Sequence, residues 1–198
     1  MTFPIHGLVL AGGESRRMGR DKAMLRYNGQ ATQLERGCGL LAEVCERVFV
    51  SHRPDQDFSL PAQVSAIRDE GDELRGPLRG IVSALRAHPE AHWLVLACDL
   101  PRLDRPALEK LIARFRQSPP RLLAYRSSHD GLPEPLCAIY PSGCDEILVR
   151  RARERGTSCP RKILILEKAE LVEQDDPRSL DNINTPEEFS AILRDYAD

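Results

Sequence analysis

LVLAGGESRRMGRDK occupies residues 8–22 and passes from an apolar run into a glycine-opened cationic segment. Residues 8–10 contain no turn former, which is typical of a buried strand. Gly12 and Gly13 lack a Cβ, so a phosphate group can approach the backbone N–H groups after this strand closely. Four cations follow: Arg16, Arg17, Arg20 and Lys22. The segment therefore predicts a strand and a polyanion-binding loop, the alternative being an ordinary strand-to-helix turn with solvated charge.

Length and charge limit the classes of protein to consider. A chain of 198 residues is expected to form a single domain, residues 1–198, that buries most of its unfolded surface. A net charge of −2 from 28 basic and 30 acidic residues argues against a nucleic-acid surface, which needs a broad basic field. No signal-peptide pattern and no apolar run of about 18 residues occurs. We expect a cytoplasmic protein with no nucleic-acid partner and no membrane association.

Six cysteines and the histidines are the residues that could bind a soft metal. No two cysteines have C-x-x-C spacing and several lie in apolar runs, so buried reduced thiols are favoured over zinc ligands or disulfides. The histidines without ligand-like spacing are His6, His88, His92 and His129. The sequence therefore assigns them no role.

Apolar strand patterns alternate with helical ones along the chain. Thr32 stands three residues before Glu35, the spacing of a capping box, and begins a helix with Leu34, Cys38, Leu41 and Cys45 on one face. Strands are predicted at residues 8–10, 47–51, 64–67, 93–98, 122–125 and 136–140, the last antiparallel to the others. Further helices are expected to open at Gly76-Pro77, to include residues 108–115, and to open at Thr185-Pro186. The basic run 150–155 is interpreted as a solvated helix face. These patterns predict an α/β fold with a mostly parallel sheet.

Two aspartates end predicted strands. Asp69 follows the third strand and Asp99 follows the fourth, in C-D-L-P, so both are expected at the carboxyl edge with the cationic loop. A lone aspartate at such a position is commonly a helix cap or turn former. Beside a triphosphate loop, however, the Asp99 carboxylate is a suitable Mg²⁺ ligand, because Mg²⁺ takes few protein ligands and keeps waters and phosphate oxygens. The helix N-terminus at Gly76 and Pro77 also favours an anion or an oxygen-rich ligand.

The loop lacks the Walker A and G-x-G-x-x-G patterns. It resembles instead the signature L-A-G-G-x-S-x-R-M-G-x-D-K of nucleotidyltransferases that activate sugars and pterins. Further motifs narrow the resemblance to the molybdenum cofactor guanylyltransferase family: G-P-L-R-G (76–80), C-D-L-P (98–101), E-P-L-C-A-I-Y (134–140) and N-I-N-T-P-E-E (182–188). This resemblance implies a single-domain Rossmann-like three-layer α/β/α nucleotidyltransferase fold. Its nucleotide-binding half would span about 1–105 and its acceptor-binding half about 106–198.

The resemblance also implies roles for individual residues. The expected catalytic residues are Arg17, Lys22 and Asp99, with Asp99 as metal ligand. The expected nucleotide-binding residues are Leu10, Ala11, Gly12, Gly13, Lys22, Asp69, Gly76, Pro77 and Asp99, with Asp69 on the base and ribose side. The expected acceptor-binding residues are Pro135, Leu136, Asn182 and Asn184, although both asparagines also suit a capped helix start. The family's asparagine after the second strand is replaced here, where Ser51, His52 or Arg53 stands.

The implied reaction is transfer of GMP from GTP to molybdopterin, with Mg²⁺ as cofactor and pyrophosphate as the second product. An acceptor phosphate is already a dianion at neutral pH, so no general base is needed. The rival interpretations are a molybdopterin cytidylyltransferase, a sugar-1-phosphate nucleotidyltransferase and a non-catalytic nucleotide-binding homologue. Transient contacts with a molybdenum insertion protein and with molybdoenzyme chaperones are also implied by the resemblance.

Overall fold

The structure, a computed structural model, describes residues 3–12, 22–26, 31–53, 59–117, 121–183, 188 and 192, with Lys22 described through its backbone. Within these residues the strands are β1 (Ile5–Leu10), β2 (Val48–His52), β3 (Val64–Arg68), β4 (His92–Ala97), β5 (Leu123–Arg126), β6 (Pro133–Tyr140) and β7 (Glu170–Val172). The helices are α1 (Gln33–Ala42), α2 (Pro77–Ala87), α3 (Arg105–Arg116), α4 (Asp145–Arg155) and α5 (Pro160–Leu166), preceded by a 3₁₀ turn at Lys22–Met24.

The strands form one seven-stranded sheet in the order β3-β2-β1-β4-β6-β5-β7. The pairs β1–β2, β1–β4, β2–β3 and β5–β7 are parallel. β6 runs antiparallel to both of its neighbours, β4 and β5. The predicted α/β fold with a mostly parallel sheet and an antiparallel strand is confirmed.

Helices cover both faces of the sheet because successive strand residues point to opposite sides. On one face, α1 and α3 pack over Val9 and its neighbours. On the other face, α2, α4 and α5 pack over Leu8 and Trp93. Two separate apolar cores therefore flank the sheet, as a three-layer α/β/α architecture requires.

The predicted capping box opens α1. The Thr32 hydroxyl accepts a hydrogen bond from the Glu35 N–H at 3.1 Å, and the Glu35 carboxylate accepts one from the Thr32 N–H at 2.7 Å. The bonds from the Thr32 backbone and side chain lower the pKa of Glu35. The helix ends at Ala42, so the prediction that Cys45 lies on its face was wrong. The Val44 and Cys45 N–H groups both donate to the Leu41 carbonyl, which turns the chain toward β2.

β6 begins three residues before the predicted strand 136–140. Pro133 and Pro135, which precede the predicted strand, lie inside β6. β4 pairs with residues 137–140, so residues 133–136 extend past its end. Beyond the end of β4 a missing N–H breaks no bond of the β4–β6 ladder, so the prolines leave this pairing intact. Neither α5 nor β7 was predicted.

The six cysteines, all within the described part of the chain, form no disulfide bond. Burial raises the pKa of Cys38 and of Cys45 to about 12, so both thiols are protonated at neutral pH. The basic run lies on α4, where Arg151 bonds Glu154 at 2.8 Å and Arg153 bonds Glu73. Three cysteines are buried as predicted (Cys38, Cys137 and Cys144), while the other three are partly buried. The solvated-helix interpretation is confirmed.

The last predicted helix and the expected lack of a membrane span concern residues that the structure describes only in part. The proposed opening of the last helix at Thr185 and Pro186 lies outside them, while Glu188 and Ile192 have helical backbone. Among the helices that the structure describes, none is long and apolar enough to cross a membrane.

Two glycines give opposite stability predictions. A Cβ on Gly7, in β1, would lie 2.8 Å from Leu41 Cβ, whereas a Cβ on Gly39, exposed on α1, meets nothing within 4 Å. We expect Gly7→Ala to destabilise the protein by about 1–3 kcal/mol through overpacking. The control Gly39→Ala should stabilise it by about 0.5–1 kcal/mol through helix propensity. Urea unfolding measures both, and a Gly7→Ala protein as stable as wild type would contradict the close packing of α1 on β1.

Candidate active site at the carboxyl edge of the sheet

Four parallel strands end together at one edge of the sheet. The register pairs Leu10 with Ser51 on β2 and with Ala97 on β4, and pairs Ser51 with Ile67 on β3. The residues that follow these strand ends include Gly12, Asp69 and Asp99. Neighbouring strands are about 4.8 Å apart, so β3 and β4, three intervals apart, are separated by about 14 Å. The edge therefore offers an elongated row of polar groups, with Gly12 near its middle.

Gly12 lies between two charged side chains. An added Cβ would be 3.5 Å from Arg53 Cγ and 3.6 Å from Asp69 Oδ2, which is ordinary contact distance. Arg53 Nη1 donates to the Gly12 carbonyl at 3.2 Å, and the Ala11 N–H donates to the Ser51 carbonyl at 2.9 Å. Both bonds fix the loop start relative to β2. The predicted site residues Gly13 and Arg17 lie outside the described residues, as does the Lys22 side chain.

Asp69 is half-buried and is held by the strand next to its own. Ser51 Oγ donates to Asp69 Oδ1 at 2.6 Å, and the Asp69 N–H donates to the His52 carbonyl at 3.1 Å. Burial raises the pKa of the Asp69 carboxyl, an effect that the Ser51 hydrogen bond and the charges of Arg79, His52 and Arg53 oppose. Oδ1 is thus directed by Ser51, which occupies the region where the family has an asparagine.

Gly80, in α2, allows this arrangement. An added Cβ there would lie 2.2 Å from Ser51 Oγ and 3.2 Å from Asp69 Oδ1, so a side chain would displace the hydrogen-bonded pair. Gly76 precedes α2 with φ of 58°, a left-handed conformation that favours glycine, and the exposed Pro77 is the first helical residue. The G-P-L-R-G motif is therefore both a helix start and a close contact with Asp69.

Asp99 lies two residues beyond β4 and is half-buried. Its carbonyl accepts a hydrogen bond from the Ile183 N–H at 3.3 Å. The following turn is held by Arg36 of α1, whose guanidinium donates to the carbonyls of Leu100, at 3.2 Å, and of Leu103. Asp99 supplies a single carboxylate. One carboxylate suits Mg²⁺, because substrate phosphates and waters fill the rest of its coordination shell. Asp99 is therefore able to hold Mg²⁺ at this edge.

The backbone of Lys22 lies on the same side of the molecule as Asp99. Leu25 packs in a small apolar cluster with Ile183 and Ile192, and Ile183 is bonded to Asp99. Lys22 precedes Leu25 by three residues, a reach of about 10 Å at most. The Lys22 backbone and Asp99 are thus brought to one region by the contacts of Ile183.

The predicted acceptor residues occupy the neighbouring part of the edge. Because β6 is antiparallel and Cys137 pairs with Leu96, Leu136 lies beside the end of β4, half-buried. Pro135 is buried, and its carbonyl accepts a hydrogen bond from the Tyr140 hydroxyl at 3.0 Å. Asn184 lies outside the described residues.

A cavity of about 480 Å³ opens in this region, with Asn182 in its lining. Pro135 and Leu136 are not among the described residues that line it; their neighbour Glu134 is, together with Arg102 and His129. His129 is paired with Asp181 at 3.1 Å, and Glu134 with Arg161 at 2.8 Å. The cavity is of a size to hold a small organic molecule and carries charges of both signs.

The sequence predicted this edge, but it did not predict three side chains that support it. Ser51 holds Asp69, and Arg53 holds the Gly12 carbonyl. Arg36 holds the turn that follows Asp99. The departure from the family's asparagine was a signal for the first two. Nothing in the sequence marks Arg36, because its partners are backbone carbonyls far along the chain.

Comparison with known proteins agrees with this architecture. The family model described as MobA-like NTP transferase domain matches residues 7–171. A molybdenum cofactor biosynthesis bifunctional protein from Synechocystis sp. is 40% identical over 96% of this chain, and the chain spans 54% of that protein's length. A molybdenum cofactor guanylyltransferase from Pseudomonas aeruginosa is 34% identical, over 93% of this chain and 92% of the relative. The crystal structure of molybdopterin-guanine dinucleotide biosynthesis protein A from Archaeoglobus fulgidus superposes with a TM-score of 0.75 at 25% identity, covering 97% of this chain and 98% of that one. The chain therefore belongs to the MobA-like NTP transferase family of nucleotidyltransferases.

Proposed function

We propose that this chain transfers GMP from GTP to molybdopterin, forming the guanine dinucleotide form of the molybdenum cofactor and pyrophosphate. The observation that carries the proposal is that Gly12 and Asp99 follow adjacent strands at the edge where Asp69 also lies. The names of relatives that match nearly the whole chain support the choice of nucleotide and acceptor. The cavity beside Asn182 supplies space for an acceptor next to this edge.

The chemistry requires positioning and neutralisation of charge. The terminal phosphate of molybdopterin attacks the α-phosphorus of GTP in line, the new P–O bond forms, and pyrophosphate leaves with the electron pair of the broken bond. The attacking phosphate, with a second pKa of about 6, needs no general base. Bound Mg²⁺ would supply charge neutralisation on the triphosphate. Asp99 holds the cation, and Arg17 and Lys22 stabilise the remaining negative charge.

Asp69 is proposed to select the base or hold the ribose. A carboxylate accepts hydrogen bonds, and guanine offers an amino group and a ring N–H on its pairing edge. The Ser51 bond at 2.6 Å leaves Asp69 Oδ2, near Gly12, oriented toward the loop. The pairing edge of cytosine has an amino donor beside a ring nitrogen that accepts hydrogen bonds. A carboxylate in this position would be repelled by that ring nitrogen, because both groups are acceptors. This arrangement favours GTP over CTP.

The acceptor is proposed to contact Pro135, Leu136, Asn182 and Asn184. Gly76 and Pro77, at the start of α2, are proposed to lie along the nucleotide. A protein that acts at this step would receive a fragile pterin from one protein and pass it to another. Transient contacts with a molybdenum insertion protein and with molybdoenzyme chaperones are therefore proposed. We place the reaction in the cytoplasm.

Asp99→Ala tests the proposed reaction. The purified protein is incubated with Mg²⁺, molybdopterin and either GTP or CTP, and pyrophosphate release is followed. Wild type should release pyrophosphate with GTP. Asp99→Ala should lower kcat about 10²–10³-fold, the effect of losing one charge-stabilising group in other enzymes. The control Asp175→Asn removes an exposed carboxylate that pairs with Lys110 and should leave turnover unchanged.

Three results would contradict the proposal in different ways. Preference for CTP would overturn the base assignment while keeping the transfer. Absence of pyrophosphate release with both nucleotides, from protein that binds GTP, would identify a non-catalytic nucleotide-binding protein. Full activity of the Asp99→Ala variant would show that Asp99 is not a ligand of the catalytic metal.

Asp69→Asn separates stability from nucleotide recognition. Burial raises the pKa of Asp69 in the folded protein, so its charged form costs stability, and this cost is absent at low pH and complete above the folded pKa. The substituted amide carries no charge and can still accept the Ser51 hydrogen bond. The variant should therefore unfold at higher urea than wild type at about pH 7, with a smaller difference toward pH ~4, near the pKa of an aspartate in an unfolded chain. Its KM for GTP should rise at least about tenfold, with a smaller effect on kcat.

The matched control for this substitution is Asp72→Asn, since the Asp72 side chain is fully exposed on the loop before α2. It should change neither the pH dependence of unfolding nor the KM. A wild-type KM in Asp69→Asn would exclude Asp69 from the nucleotide contact.

A further inference from the structure

Two histidines and a glutamate meet at the amino-terminal edge of the sheet, opposite the nucleotide site. His6 is the second residue of β1, His88 is the C-cap residue that follows α2, and Glu90 lies in the turn before β4. One ring nitrogen of each histidine and one carboxylate oxygen of Glu90 lie within 4.8 Å of one another. At about 3.3 Å per strand residue, His6 is about 20 Å from Gly12, so this cluster is separate from the nucleotide site.

A tight turn fixes two of the three side chains. The His88 N–H donates to the Ala84 carbonyl at 3.1 Å, and the Ala91 N–H donates to the His88 carbonyl at 3.1 Å. This turn brings His88 Nδ1 to 3.3 Å from Glu90 Oε1. The two donor atoms therefore already have the separation of two ligands on one cation.

The third side chain is buried without a full set of hydrogen bonds. His6 is 4% exposed. Among the residues that the structure describes, its Nδ1 atom has no hydrogen-bond partner. Buried polar atoms are normally satisfied, so an orphaned one needs an explanation. A cation bound by the imidazole would offset the cost of burying this polar ring.

The protonation states suit metal binding. Burial, followed by repulsion from His88 and Arg47, lowers the pKa of His6, so its ring is neutral at neutral pH. A hydrogen bond from its own backbone N–H, together with His88, lowers the pKa of Glu90, which is therefore ionised. Arg47 and Glu46 bring opposite charges close to the cluster and partly cancel.

The surroundings combine an apolar wall with an opening to solvent. The rings of Phe49 and Trp93 lie with their centroids 5.6 Å from that of His6, while the His88 and Glu90 side chains are 24% and 56% exposed. The wall lowers the local dielectric and fixes the rings, as hydrophobic shells do around metal sites. The opening gives a cation a path from water and leaves space for a water ligand.

We infer that His6, His88 and Glu90 form a structural Zn²⁺ site, with water as the fourth ligand. Two imidazole nitrogens and one carboxylate oxygen are a ligand set that zinc accepts and that Mg²⁺, which takes oxygen ligands, does not. With Zn–N distances of about 2.0–2.1 Å, tetrahedral ligand atoms lie about 3.3 Å apart, so shifts of about 1 Å complete the site. The bound ion joins the start of β1 to the α2–β4 turn.

The test measures zinc binding by the reduced 198-residue chain, by equilibrium dialysis and by unfolding temperature. Wild type should bind one Zn²⁺ per chain. Its unfolding midpoint should rise by roughly 5–10 °C at a zinc concentration about 100-fold above Kd, with no rise in Mg²⁺. His88→Ala and Glu90→Gln, at partly exposed positions, should each weaken zinc binding at least about tenfold. The control His129→Ala removes an exposed histidine near the acceptor cavity and should bind zinc as wild type does.

Cobalt substitution identifies the ligands by their spectrum. The Co²⁺ protein should show visible bands of tetrahedral nitrogen and oxygen coordination, lost in Glu90→Gln. Thiolate-to-cobalt charge transfer would place the metal on cysteines and overturn the proposal. The proposal would also be overturned if the wild-type protein did not bind one Zn²⁺ per chain. It would be overturned as well if the His88→Ala and Glu90→Gln variants both bound zinc with wild-type affinity.

Discussion

The parallel hydrogen bonding of β1 to β2 and to β4 is the constraint on which the rest of the structure depends. It aligns Leu10 with Ser51 and Ala97, so the chain leaves three strands at the same level of the sheet. Polar groups widely separated in sequence then converge at this edge, where Ser51 bonds Asp69 and Arg53 bonds the Gly12 carbonyl. A shift of one residue between β1 and β4 would exchange their buried faces and separate Asp99 from the glycine loop.

The cluster around Asp69 shows how this edge holds a charge that burial disfavours. Ser51 supplies a short hydrogen bond, Gly80 supplies the space, and Arg53 lies against Gly12 on the other side. The carboxyl pKa is nevertheless raised, so folding alone does not fully compensate the charge. A ligand that donates hydrogen bonds to the carboxylate would complete that compensation, which is expected of a group kept for binding rather than for stability.

The sequence allowed prediction of features that depend on local patterns. The strand predicted from Trp93 to Cys98 formed one residue earlier, at His92–Ala97. The Thr32–Glu35 capping box and the proline that begins α2 formed as predicted, and each of these patterns lies within a few residues. The missed elements were short: α5 has seven residues and β7 has three, too few to establish a periodicity. The missed contacts were long-range, with Arg53 41 positions from Gly12 and Arg36 64 positions from Leu100. Such contacts follow from strand order and helix placement, which spacing along the chain does not encode.

The histidines had no assigned role for the same physical reason. His6 and His88 are far apart in sequence, and no ligand spacing joins them; they meet because β1 pairs with β4 and α2 ends beside both. The two ends of β1 therefore lie near different donor atoms, the Asp69 carboxylate oxygens near Gly12 and two imidazole nitrogens with one Glu90 carboxylate oxygen around His6. Because Mg²⁺ favours oxygen and Zn²⁺ accepts nitrogen, the two edges would sort these ions by chemistry as well as by distance. The central parallel strand β1 thus connects the proposed Mg²⁺ site and the proposed Zn²⁺ site, whose ligand atoms differ.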